Sequence, residues 1–163
     1  MVRMSRTRIA VVATAIGALL VGLLVARHIS APGYGIASAP RAERPECEQA
    51  ATRYPDRLAG QKLSFAGRPG VAVWGDNAVV LRCGLTPPAP TVDPCATVNG
   101  VDWVFREGRS EDGKKVIITY GRTPAVEAVV SDEVTAIDTV LVDLSKLVEP
   151  IKKYTKCLNA DDV

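Results

Sequence analysis

Between Ile9 and Ala26 the chain reads IAVVATAIGALLVGLLVA, eighteen consecutive residues without a charge. As an α-helix this run rises about 27 Å at about 1.5 Å per residue, close to a hydrocarbon core of about 30 Å. A helix satisfies its own backbone hydrogen bonds and so can sit in lipid. The run therefore predicts a single transmembrane helix over residues 9–26. Arg3, Arg6 and Arg8 precede it, while Arg27 and His28 follow. The positive-inside rule then puts residues 1–8 in the cytoplasm and the rest of the chain outside. A cleaved signal peptide is the rival reading, but the small-x-small site Ala37-Ser38-Ala39 is followed by Pro40 and lies far past the apolar run. A retained anchor in the cell membrane is the expectation.

Residues 27–45 are rich in Pro, Gly, Ala and Ser and lack periodicity, which predicts a flexible linker. Residues 46–163 then form one small extracytoplasmic domain. The formal charge is +2, and the three arginines ahead of the anchor exceed it, so the remainder is close to neutral. Nucleic-acid binding needs a clustered basic face. Lys114 with Lys115, and Lys152, Lys153 and Lys156, read instead as solvated faces. No nucleic-acid partner is expected.

All four cysteines, Cys47, Cys83, Cys95 and Cys157, follow the anchor. An even count in a small exported domain predicts two disulfide bonds, with three connectivities open. A zinc site would need four scattered thiolates, because there is no C-x-x-C pair and His28 is the only histidine. No metal and no cofactor is expected.

Pro45, followed by Glu46 and Glu48, predicts a helix start, with Cys47, Ala50, Ala51 and Tyr54 on one face and a stop at Pro55. Val71 to Trp74 and Ala78 to Arg82 read as strands around a three-residue turn, Gly75-Asp76-Asn77. In the second, Val79, Leu81 and Cys83 share a face. The proline-rich Pro87 to Pro94 segment reads as a loop. Val101, Trp103 and Phe105 alternate with Asp102 and Arg106, and Val116, Ile118 and Tyr120 and then Ala125 to Val130 complete five strands. Thr135 and Asp138 resemble a capping box, ahead of an amphipathic helix carrying Ile137, Val140, Leu141, Leu144, Leu147, Val148 and Ile151, which Pro150 should kink or split. The expected fold is α+β, a five-strand antiparallel meander packed by an N-terminal and a C-terminal helix.

Four islands carry a family resemblance: Ala72-Val73-Trp74-Gly75-Asp76, Val80-Leu81-Arg82-Cys83-Gly84, Val98-Asn99-Gly100-Val101-Asp102-Trp103, and Thr119-Tyr120-Gly121-Arg122 running on to Val126-Glu127. Over residues 46 to 150 the chain resembles the family known as domain of unknown function 3515, found in membrane and secreted proteins of actinobacteria. The resemblance implies an exported envelope protein with one small domain and no established activity. It also implies a Cys47–Cys83 bridge, which leaves Cys95 for Cys157.

Candidate catalytic groups do not converge in the sequence. Asp76, Asp102, Glu127 and Asp143 read as turn or surface acids. His28, the only histidine, lies beside the membrane, which removes Ser/His and Cys/His arrangements, and Ser145-Lys146 diverge by about 100° on their helix. The cluster Trp74, Arg82, Asp102, Trp103, Tyr120, Arg122 and Glu127 could anchor a partner or glycan. Strand packing is the favoured reading, with Arg82 paired to Asp102 or Glu127 on the helix-free face. The expected function is a non-enzymatic, membrane-anchored binding or accessory module of the bacterial cell envelope, bound to the membrane by residues 9–26 and to an unidentified envelope protein or glycan. The alternatives are an envelope-polymer hydrolase and a structural subunit of a membrane complex.

Overall fold

The structure, a computed structural model, describes residues 34–158. The transmembrane expectation over 9–26 lies outside those residues, and among the described residues no helix is long and apolar enough to cross a membrane. Helix α1 spans Pro45–Ala51. Strands β1 (Arg57–Leu58), β2 (Gln61–Arg68), β3 (Val71–Trp74) and β4 (Val79–Leu85) follow. After the proline-rich loop come β5 (Cys95–Val98), β6 (Val101–Phe105), a 3-10 turn at Glu107–Arg109, β7 (Lys114–Thr119), β8 (Ala125–Ser131) and helix α2 (Ile137–Val148).

The α+β class, the antiparallel sheet and both helices agree with the sequence reading, but the sheet has eight strands and not five. Its order is β1-β2-β3-β4-β8-β7-β6-β5, so two four-strand meanders meet at the β4–β8 pair. A single meander is therefore corrected to two. The Pro87–Pro94 loop is the cause, because it carries the chain from the middle of the sheet to the far edge, where β5 begins. The missed strands β1, β2 and β5 are edge or near-edge elements; β1 and β2 hold no β-branched residue, β2 holds Gly67, and β5 is only four residues long.

One face of the sheet packs on the helices. Trp74, Val79, Leu81, Cys83, Trp103, Ile117, Val126 and Ala128 meet Cys47 of α1 and Val140, Leu144 and Leu147 of α2 in one core. Helix α2 touches both β1 and β5, the two opposite edges of the sheet. The sheet consequently curls around the helix, as twisted antiparallel sheets do when they cover an apolar stripe. The capping box is not formed: α2 starts after Ala136, with no side-chain cap. Pro150 lies beyond Val148 and the C-cap Glu149 and follows the helix end instead of kinking it, since a proline has no N–H to continue the helical hydrogen bonds.

The linker reading is shortened. Residues 36–44 lie against the sheet as a strap: Arg41 N–H donates to the Gly84 carbonyl at 3.0 Å. Arg68 donates to Ile36 O at 3.0 Å, and Ser38 Oγ donates to Pro69 O at 2.9 Å. Ala39 and Ala42 are buried. Only small residues fit there, because a Cβ on Gly84, which has φ +106° at a bulge in β4, would strike the backbone of Arg41 and Ala42.

Candidate functional site

Both tryptophans belong to the core. Trp74 is fully buried, donates from Nε1 to Pro55 O at 2.9 Å, and takes the edge of the Tyr54 ring at 5.7 Å. Burial pushes the Tyr54 phenol up to about 12. Trp103 is also fully buried and donates from Nε1 to Ser145 Oγ on α2 at 2.9 Å. Neither is available to a partner, so packing accounts for these two residues.

The acids Asp102 and Glu127 are not surface acids. Each is only 2% exposed. Alternation along β6 and β8 aims both at the helix-free face, and the face is not open, because chain segments lie over it. Glu127 is the register partner of Arg82 across β4–β8. It accepts from Arg82 at 3.4 Å and from Arg109 of the 3-10 turn at 2.9 Å. Arg82 also donates to Ala37 O at 3.2 Å. One buried carboxylate thus ties the strap to the β6–β7 loop. Of the two expected pairings of Arg82, the one with Glu127 is present.

Asp102 performs the equivalent task for the C-terminal tail, residues 149–158. Thr97 Oγ1 donates to its Oδ1 at 2.7 Å, while Cys157 N–H and Lys153 Nζ reach Oδ2 at 3.0 and 2.9 Å. Burial pushes this carboxyl up, but the hydrogen bonds from Thr97, Lys153 and Cys157 and the Lys153 charge together outweigh burial and leave it below its ordinary value.

Arg122, 4% exposed, caps the end of α2 by donating to the carbonyls of Glu149, Ile151 and Gly100. Burial lowers its affinity for the proton. Beside it, a Cβ on Gly121 would strike the Thr155 carbonyl, and Tyr154 N–H donates to Gly121 O at 2.7 Å. Tyr120 is half-buried against the Cys95–Cys157 pair.

The disulfides join Cys47 to Cys83 and Cys95 to Cys157, the pairing that the family resemblance implied. The first pins α1 to β4. The second pins the tail to the edge strand β5.

The cluster named from sequence therefore divides in two. Arg82 and Glu127 hold the strap, while Asp102, Tyr120 and Arg122 hold the tail. Glu127 lies opposite Ile118, which lies opposite Val104, and Asp102 is two residues along β6. At about 4.8 Å between strands and about 3.4 Å per residue, the Cα atoms of the two acids stand about 12 Å apart. Both are also engaged by cations.

Arg109, Lys153, Thr97 and Ser145 are structural partners that sequence reasoning missed. Lys153 sits in a lysine trio that reads as solvated, and Arg109 lies in a polar turn. Ser145 does not serve Lys146, whose ammonium pairs with Asp143 at 3.0 Å. Among the described residues there is no group of three or more His, Cys, Asp or Glu that could hold a metal ion.

Three of the four resemblance islands meet the docked ends of the domain, with Arg82, Gly84 and Glu127 at the strap and Gly100, Asp102, Gly121 and Arg122 at the tail, while the first island places Trp74 in the core. No curated protein and no solved structure matches the chain. Residues 9–155 match the family described as Protein of unknown function (DUF3515), and the chain belongs to that family.

Proposed function

We propose that this chain is a membrane-tethered module of the bacterial cell envelope, whose domain stands outside the cytoplasm and works as a binding or accessory part and not as an enzyme. The observation that carries the reading is the pairing of all four cysteines in two disulfides. Such bonds form and persist in oxidising compartments and are rare in reducing ones. The apolar run over residues 9–26 and the arginines before it support the tether and its direction.

The arrangement of acids favours the accessory reading over a hydrolase. Asp102 and Glu127 are each paired with cations and committed to holding a chain segment. With Trp74 and Trp103 buried, contact with an envelope protein or glycan falls to other surface groups. The test is proximity crosslinking from the domain in its native membrane, with thiol labelling of intact cells by an impermeant maleimide. The expectation is recovery of an envelope protein or polymer, and no labelling without a reductant. Recovery of neither, or four free thiols, would refute the reading.

A further inference from the structure

The two bridges differ in access. Cys47 and Cys83 are both completely buried between α1 and the sheet. Cys95 is only half-buried, Cys157 is 8% exposed, and both line an open groove of about 350 Å³ on the helix-free side. We propose that Cys95–Cys157 is a thiol-exchange site, reduced by an exported dithiol oxidoreductase, and that its opening lifts the C-terminal tail and bares an apolar strip beneath. The partner's location rests on the exported placement proposed above, whereas the exchange chemistry does not.

Exchange is limited by access and by the electrostatics met by the incoming thiolate. The groove is rimmed by Val92 and Leu158, two of the few large apolar side chains exposed among the described residues. Among the described residues its one acidic lining residue, Asp93, is paired with Arg106 at 3.3 Å, so no unpaired lining anion of the described residues opposes a thiolate there.

The reductant's thiolate attacks Cys95 Sγ, the more exposed side of the bridge. A mixed disulfide forms, and Cys157 leaves as thiolate and takes a proton from water. The reductant's second thiol, once deprotonated, then attacks its own sulfur in the mixed disulfide and expels Cys95 as thiolate, which is protonated in turn. Two electrons and two protons pass to the bridge, and the reductant ends as an internal disulfide.

The tail is built to respond. From Lys152 to Leu158 it buries one side chain, that of Cys157. Without the bridge its contacts include those of Lys153 and Cys157 to Asp102, the Arg122–Lys153 pairing and the Tyr154 N–H bond to Gly121 O. Beneath Cys157 lie Val104, Ile118 and Ala125, each 2% exposed or less, beside Leu85 and Tyr120. Lifting the tail uncovers this strip.

The full chain in detergent micelles is treated with limiting dithiothreitol, and thiols are mass-tagged with a maleimide polymer over time. Cys95 and Cys157 should be tagged about tenfold faster than Cys47 and Cys83, or more. A pre-reduced thioredoxin whose second cysteine is serine should form its mixed disulfide at Cys95, and Val92→Glu should slow that step several-fold without altering the Cys47–Cys83 bridge. Trypsin should then cut at Lys152, Lys153 and Lys156 in the opened chain and spare them in the closed one. Simultaneous opening of both bridges, adduct formation at Cys157, an unchanged rate in Val92→Glu, or a tail still protected after opening would each overturn the proposal. None of these readouts depends on the cellular compartment, so their failure is distinct from failure of the proposed function.

Discussion

The hydrogen bond from Trp103 to Ser145 offers the sharpest test of how the sheet is fastened to α2. Ser145→Ala removes the acceptor and leaves an indole N–H in a site where Trp103 and Ser145 are both fully buried. An orphaned buried donor costs about 1–3 kcal/mol, whereas a satisfied neutral bond is worth only about 1 kcal/mol net. Alanine's better helix propensity returns about 0.5 kcal/mol, so a net loss of about 1–2 kcal/mol is expected. For a domain of this size that lowers the melting midpoint by about 4–8 °C.

Trp103→Phe behaves differently. It removes the donor, and the Ser145 hydroxyl can turn to the Leu141 carbonyl one helical turn back. Its cost is the lost ring volume, about 1–3 kcal/mol. In the double variant the orphaned donor no longer exists, so the two losses should fall short of additive by about 1 kcal/mol. The assay is thermal unfolding of the full chain in detergent under oxidising conditions, followed by far-ultraviolet circular dichroism. Strict additivity, or a Ser145→Ala midpoint equal to the parent's, would refute the claim that this bond fastens the sheet to the helix.

Other substitutions probe the straps and the charges. Because the fold holds the Asp102 carboxyl below its ordinary value, its stabilisation is complete above the unfolded pKa of about 4 and is lost as pH falls through the folded value. Asp102→Asn should flatten that acid limb in melting curves taken from pH 6 to pH 2, and an unchanged limb would count against it. Gly84→Ala should push the strap away and raise amide exchange of residues 36–44 with little change in β7, as the positive φ and the Ala42 backbone both disfavour a side chain there. The Tyr54 hydroxyl is buried without a hydrogen-bond partner, so Tyr54→Phe should change the midpoint by less than the equivalent of about 0.5 kcal/mol or raise it. Absorbance at alkaline pH should show Tyr54 ionising late, near 12.

What could be read from the chain follows from periodicity. Val79, Leu81 and Cys83, and Val140, Leu144 and Leu147, alternate or recur so regularly that their faces were legible, and both sets meet in the core. The strap was not legible: a Pro/Ala segment carries no period, and its docking depends on Gly84, whose role emerges only from the close approach of Arg41 and Ala42. Asp102 and Glu127 misled because alternation tells which face a residue takes but not whether another segment covers that face. Their cover comes from residues distant in sequence, Ala37 through Arg82, Arg109 and Lys153. The pairing of Arg82 with one of these acids was foreseeable, since a cross-strand ion pair needs only strand adjacency.

The order of the bridges along the chain has a consequence for biogenesis. Each disulfide joins a cysteine to the next one in sequence, Cys47 to Cys83 and Cys95 to Cys157. For a chain whose anchor keeps residues 1–8 inside while the domain crosses from its anchor-proximal side, the first two thiols to emerge are native partners, and so are the last two. An oxidase acting on thiols in order of arrival would make both bonds correctly, without an isomerase to reshuffle them. The first bond closes between α1 and β4, across the β1–β4 meander, but the second must await Cys157 in the tail. Maturation would thus end at the same bond whose opening is proposed to reverse it.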